Sequence, residues 1–235
     1  MADVELKNVI DCTNLSSGEV DFKVKNLLFE NIKNIVLKNT SSLASDLLEG
    51  IRKQAKIEVI GNVGNRFSNN VNGLKILVNG NIGDDSAVSA VNSKFIVIGE
   101  VGINFARGAK SSEFYIFENC GKSCFCGMDV SSKVVIGGQA GNDFAHNING
   151  GSIVILNLKG GNIFIDDNVN WLQNAKDSFL YIRGDCKISS SRFLIEKAGD
   201  NDEDIYLPLI SEFARLFKYS LSEIKSKPFY RIILK

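Results

Sequence analysis

The chain has little that would support chemistry of its own. Its 235 residues include one histidine, one tryptophan and two prolines, and 27 basic residues balance 27 acidic ones. With zero formal net charge and no basic stripe along the sequence, the electrostatic footprint of nucleic-acid binding is missing. No apolar run approaches the roughly 18 residues that a membrane-spanning helix needs. The opening Met1-Ala-Asp-Val-Glu-Leu-Lys-Asn8 lacks the basic start and apolar stretch of a secretory signal, so a cytoplasmic chain with free thiols is expected. Scarce proline and the absence of a glycine triplet period exclude collagen-like chains and proline-rich disorder. What remains is 44% hydrophobic residues, enough for one sizeable core, and 21 glycines.

Those glycines are not scattered. One phrase, apolar–x–apolar–x–turn closed by glycine, recurs from Ile57 to Leu158. The closing residues Gly64, Gly83, Gly102, Gly121, Gly141 and Gly160 are spaced by 19, 19, 19, 20 and 19 residues. Two apolar positions precede each turn: Ile57/Val59, Ile76/Val78, Phe95/Val97, Phe114/Ile116, Val134/Ile136 and Ile153/Ile155. All are β-branched or aromatic, and alternation with period 2 bounded by Gly and Asn is the strand signal. A further inward position falls inside the turn (Val63, Ile82, Val101, Cys120, Ala140). Others fall three residues past the closing glycine (Phe67, Ser86, Phe105, Cys124, Phe144) and seven past it (Val71, Ala90, Ala109, Met128, Ile148).

A fixed period near 20 indicates a solenoid. A coil of this length makes one circuit of short strands and turns, and equivalent residues of successive coils stack about 4.8 Å apart. The expected architecture is all-β: a right-handed parallel β-helix of about 19–20 residues per coil, with a C-terminal amphipathic helix. A leucine-rich repeat would need leucines where this chain has Val, Ile and Phe. The glycines Gly61, Gly64, Gly80, Gly83, Gly99, Gly102, Gly121, Gly138, Gly141, Gly150 and Gly151 are expected to supply positive-φ turns between coils.

Single-domain organisation is expected over 1–235. Residues 1–52 form irregular first coils, with strand-like runs such as Val20-Asp-Phe22-Lys-Val24 and a short capping helix from Thr40 or Ser41 to Gly50. The β-helix proper runs over 53–198, with Val169–Lys176 as an insertion and degenerate final strands at Phe179–Ile182 and Arg192–Ile195. Over 199–235 come an acidic linker, a helix of about five turns from Ile205 to Ile224, and a last extended segment from Phe229 after Pro228.

Candidate chemistry is sparse. His146 has no neighbouring nucleophile motif, and catalysis by a base requires a second group to orient it. Cys120, Cys124 and Cys126 follow a C-x3-C-x-C spacing that matches no common zinc or iron–sulfur frame. Cys120 and Cys124 also occupy inward ladder positions, so they are expected buried, reduced and unliganded. Asp84-Asp85, Asp166-Asp167 and Asp200 to Asp204 fall in loops and form no consistent ladder of the kind a sugar-cleaving β-helix enzyme would need. No catalytic, cofactor-binding or metal residue is assigned.

The phrase Gly138-Gln-Ala-Gly141-Asn-Asp-Phe144-Ala-His-Asn-Ile148-Asn-Gly150-Gly151-Ser-Ile-Val-Ile155 resembles the GXGXG β-helix domain. That domain forms the C-terminal part of the glutamate synthase large subunit and also occurs as a subunit of formylmethanofuran dehydrogenase. Asn39–Ile51 is similar to the family's entrance, and Leu209 through Phe229 to its terminal helix and closing strand. The family usually has glycine directly after the inward Phe; here Ser68, Ala87, Ala106, Phe125 and Ala145 stand there. The resemblance implies a non-catalytic scaffold subunit of a glutamate synthase-like oxidoreductase. It would bind no cofactor alone and would partner amidotransferase and flavin/iron–sulfur chains. The alternatives are the equivalent β-helical component of formylmethanofuran dehydrogenase and a homo-oligomeric module without enzymatic role.

Overall fold

A computed structural model describes residues 8–43, 45–129, 131–174 and 178–235. The ladder expected from the period is present. Strands β1 (Val9–Asp11), β2 (Asn34–Lys38), β3 (Arg52–Ile60), β4 (Asn72–Asn79), β5 (Lys94–Val97), β6 (Glu113–Ile116), β7 (Lys133–Ile136) and β8 (Gly151–Ile155) pair in parallel, in sequence order. Register follows the repeat: Ile35, Ile57, Ile76, Phe95, Phe114, Val134 and Ile153 are successive Cα partners. Isolated parallel bridges Val63–Ile82–Val101–Cys120–Ala140 form a second ladder at the next corner. The fold is a parallel β-helix of about eight turns.

The interior is filled from these ladders. Phe95, Phe105, Phe114, Phe125 and Phe144 are wholly buried and touch one another along the axis, and Trp171 closes the column on Phe144 with centroids 5.8 Å apart. Phe125 and Cys124 exchange the usual sizes. Where three other coils place Phe followed by a small residue (Phe67-Ser68, Phe105-Ala106, Phe144-Ala145), this coil places Cys followed by Phe, and both side chains are buried.

The N-terminal coils differ from expectation. Val20, Phe22 and Val24 lie not on a strand but on helix α1 (Ser17–Phe29). Ser16 and Glu19 form a reciprocal capping box, and Val20, Val24 and Leu28 are buried at a four-residue step, which is the helical stripe. This helix, not 40–51, caps the stack, and Asp21 accepts the Leu48 N–H at 2.7 Å. The 40–51 stretch holds only a 3-10 turn at Thr40–Ser42; its backbone bonds instead to the next coil, with Asp46 N–H on the Asn65 carbonyl and Gly50 N–H on Asn69. Ala44 lies outside the described residues.

Beyond β8 the chain continues into β9 (Ile163–Asp166) and β10 (Ser178–Arg183), and β10 pairs in parallel with β8. Trp171 is not in an insertion. Its Nε1–H donates to the Gly141 carbonyl, and Asn170 and Asn174 bond Asp143 and Asn147 one coil below. The additional length lies before it, in the segment that carries β9; residues 175 and 176 of the expected insertion lie outside the described residues.

Strand β11 (Cys186–Ser189) pairs with β9 in a small second sheet, and β12 (Phe193–Lys197) follows. The expected acidic linker is instead the first turn of α2 (Asp200–Phe217). Asp200, Asp202 and Glu203 favour the helix N-terminus, and Asp202 accepts the Gly199 N–H at 2.9 Å. The expected single helix breaks at Lys218, left-handed at φ +53°, before α3 (Leu221–Ile224). The last strand, β13 (Phe229–Leu234), is antiparallel and inserts between β10 and β12.

Candidate functional site

The turn glycines fall into two kinds. Gly61, Gly150 and Gly151 have positive φ, as expected. Gly80, Gly83, Gly99, Gly102, Gly121, Gly138 and Gly141 do not, and another reason applies to them. A Cβ on Gly121 would lie 2.7 Å from the carbonyl carbon and oxygen of Gly102, and one on Gly141 would lie 2.7 Å from the Gly121 carbonyl carbon. These glycines let successive turns stack backbone on backbone; Gly64 heads the same column.

Positive φ occurs instead two, four and six residues past the closing glycine, on residues that are mostly not glycine. Ser68, Ala87, Ala106, Phe125 and Ala145 lie at φ +55°, +56°, +56°, +61° and +52°. Hydrogen bonds between coils hold this conformation, such as Ala87 N–H on Phe67 and Ala106 N–H on Ser86, each 2.8 Å. Carboxamide and carboxylate side chains at the corners bond the next coil up: Asn62 accepts the Asn81 N–H, Asn81 that of Glu100, and Asp84 that of Ile103. Asp85 accepts from the Asn104 carboxamide at 2.9 Å, so both Asp84 and Asp85 tie one coil to the next.

No catalytic group is assembled among the described residues. His146 is a half-buried turn residue whose carbonyl accepts the Gly127 N–H. Cys120 and Cys124 are buried and free, and burial raises the Cys120 thiol well above its usual range. Cys126 is half-buried, its thiol on the Asp143 carbonyl. Asp166 accepts the Asn168 N–H and Asp167 the Ser190 hydroxyl, while Asp202 accepts from the Tyr181 hydroxyl. Among the described residues no group of three or more His, Cys, Asp or Glu could hold a metal ion, and no helix is long and apolar enough to cross a membrane.

The outer faces remain. Helix α2 lies on the outside of the main sheet. Its Tyr206, Leu209, Ile210, Phe213 and Ala214 are buried with the outward residues Tyr115, Val135, Val154, Leu156 and Tyr181. Gly137 makes this possible, since a Cβ there would collide with the Phe117 carbonyl oxygen and lie 3.0 Å from the Phe213 ring. Lys94 bridges Glu113 at 2.9 Å and Glu212 of α2 at 2.8 Å. The hydrogen bonds of Arg215 and Lys94 pull the Glu212 carboxyl down to about 2.

Cover stops there. Toward the N-terminal coils the same outer face exposes Ile60 and Ile98, and a shallow groove of about 250 Å³ runs between Ile98, Phe117, Leu216 and Phe217. At the capped end, α1 turns Phe22 and Phe29 outward, 67% and 91% exposed.

Sequence reading missed one surface. It found no basic stripe, yet Lys33, Arg52, Lys53, Lys56 and Lys75 line one groove on the first coils. The signal was available in the period: Lys56, Lys75 and Lys94 stand at the same phase of successive coils. No protein-family model, curated protein or solved structure matches the chain.

Proposed function

We propose that the chain is a non-catalytic β-helical scaffold subunit of a glutamate synthase-like oxidoreductase. In that assembly it binds no cofactor of its own, sits in the cytoplasm, and holds an amidotransferase chain and a flavin/iron–sulfur chain in relation to each other. The observation that carries a docking role is the half-covered outer sheet. Helix α2 seals strands β6, β7, β8 and β10, while Ile98 beside β5 and Ile60 of β3 stay exposed on the earlier coils. Ile98 is continuous with the packed face through the groove it shares with Phe117, Leu216 and Phe217, and exposed apolar surface that continues a packed one is what a partner interface offers. The GXGXG resemblance supplies the choice of complex. It is supported by the left-handed φ of Ser68, Ala87, Ala106, Phe125 and Ala145, where that family carries glycine.

A second reading, self-association without enzymatic role, is favoured by the outward Phe22 and Phe29 of α1. Affinity capture of the chain from its native source, with peptide identification and light scattering on the purified chain, separates the readings. Recovery of synthase-type subunits supports the scaffold. Recovery of formylmethanofuran dehydrogenase subunits moves the chain to that complex. A purified dimer or higher oligomer that captures only itself refutes the first proposal, as does turnover of an acidic polysaccharide by the chain alone.

A further inference from the structure

Although the chain is neutral overall, its cations are unevenly placed. The groove of about 720 Å³ lined by Lys33, Arg52, Lys53, Lys56 and Lys75 has no carboxylate in its lining among the described residues. Among the described residues Lys33, Arg52, Lys53 and Lys75 form no ion pair, and Lys56 is only 4.0 Å from Glu58. All five side chains are exposed. The next lysine of the column, Lys94, is already neutralised by Glu113 and Glu212, so the free charge ends at β4.

A backbone irregularity builds the groove. The β3–β4 register shifts between Arg52 and Ala55, leaving Lys53 and Gln54 opposite the single residue Gly73. Such a bulge breaks the alternation of a strand, and Arg52, Lys53 and Gln54 are consecutively exposed. Gly73, at φ +83°, lies close beneath: a Cβ there would be 3.4 Å from the Lys53 carbonyl oxygen.

We propose that this groove binds a linear acidic carbohydrate carrying about one anionic group per sugar, laid along the axis of the coils. The remaining lining residues select this occupant. Asn34, Gln54, Asn72 and Asn92 supply carboxamides, which donate to and accept from hydroxyls. Among the described residues no aromatic side chain lines the groove, so bases have no stacking platform. Among the described lining residues the only aliphatic one is the buried Ala55, so a protein partner finds no anchor pocket there and a lipid surface no inserting residue. The donors also repeat. Asn34, Lys56 and Lys75 are successive Cα partners, as are Arg52 and Asn72, so side-chain N–H donors recur about every 4.8 Å over about 10 Å of groove. A polymer with a regular spacing of charge meets a donor at each rung, a carboxamide at Asn34 and ammonium groups at Lys56 and Lys75. This site stands apart from the scaffold reading and does not depend on it.

The test is titration of the full chain with defined oligosaccharides at low salt: an oligogalacturonate for carboxylate groups, a heparin-derived oligosaccharide for sulfate, and a neutral maltooligosaccharide of equal length. Binding is expected for one or both acidic probes and not for the neutral one, and which probe binds identifies the anion. The logarithm of the binding constant should fall linearly with the logarithm of salt concentration, the mark of counterion release. Lys53→Glu with Lys75→Glu should weaken binding at least tenfold, and the milder Lys53→Gln with Lys75→Gln at least threefold, both with an unchanged melting temperature. Lys187→Glu with Lys227→Glu, the same charge change elsewhere on the exposed surface, should stay within twofold of the parent. Equal losses in the groove and control variants would reduce the effect to bulk ion exchange and overturn the proposal. Tighter binding of a charge-matched DNA duplex or polyglutamate than of either acidic glycan would overturn it as well, as would no binding to either.

Discussion

Replacing Ser68 with alanine should make this protein more stable. Ser68 is wholly buried, and its hydroxyl has no hydrogen-bond partner among the described residues. Burying an unpaired hydroxyl costs about 1–3 kcal/mol. The usual penalty for alanine at positive φ does not apply in full, because Ala87, Ala106 and Ala145 occupy the same place in other coils at nearly the same φ as the +55° of Ser68. The Ser68 N–H keeps its bond to the Leu47 carbonyl in either case. Loss of one oxygen's packing contacts offsets part of the gain, leaving about 1–2 kcal/mol of net stabilisation. At 2–4 °C per kcal/mol for a chain of this length, that is a rise of about 2–8 °C in melting temperature. Urea unfolding should show a higher midpoint with an unchanged slope. Ser86→Ala is the matched control and should move the other way by about 1–2 kcal/mol, since the Ser86 hydroxyl accepts the Phe67 N–H at 3.0 Å and donates to the Asp84 carbonyl at 3.2 Å. A Ser68→Ala protein destabilised by more than about 0.5 kcal/mol would refute the reasoning, because the hydroxyl would then have a partner such as a trapped water.

Phe105→Ala should cost about 3–5 kcal/mol in denaturant unfolding, because Phe105 is wholly buried with three ring neighbours, Phe95, Phe114 and Phe125; a loss below about 1 kcal/mol would contradict its place in the column. Gly121→Ala should cost about 3 kcal/mol even though the backbone φ is ordinary there, since the new methyl meets the Gly102 backbone at 2.7 Å; a neutral result in thermal unfolding would show that the corner can open. The Glu212 carboxyl, lowered from 4.5 to about 2 first by Arg215 and then by Lys94, contributes stability that is present above pH 4.5 and lost as pH falls toward 2. With solvent screening this is on the order of 1–2 kcal/mol, so Glu212→Gln should flatten the stability profile between pH 5 and 2 by about that amount, and an unchanged profile would remove the ion pair from the account.

Much of the solenoid was legible because its determinant is local and repeated. Side chains at period 2 and coils at period 19 fix which residues enter the core, and the register followed them through β3 to β8. Positive φ accounts for Gly61, Gly150 and Gly151, while close approach of the neighbouring coil accounts for Gly80, Gly83, Gly99, Gly102, Gly121, Gly138 and Gly141. Sequence shows that a position tolerates only a small residue, but not whether φ or the approach of a neighbouring coil excludes the Cβ. The left-handed residues were invisible because Ser, Ala and Phe carry no signal for that conformation; only the stacked coil, bonding each N–H to its neighbour, imposes it.

Helix α1 was hidden by an ambiguity of spacing. Val20 and Val24 are four apart, which satisfies a strand of period 2 as well as a helical stripe, and Phe22 between them completed the alternation. Ser16 and Glu19 broke the tie, since a reciprocal cap at the start of the segment has no counterpart in a strand. The insertion of β13 between β10 and β12 could not be read at all, because it pairs residues far apart in sequence. The basic groove illustrates the reverse relation. Its lysines are unremarkable one at a time in a chain with no net charge. The coil period, with one bulge in β3, brings them together while the carboxylates that would have balanced them are used at β6 and on α2. Charge neutrality of a solenoid is therefore weak evidence against an ionic site: stacking sorts residues by phase, and each phase can carry a charge the total conceals.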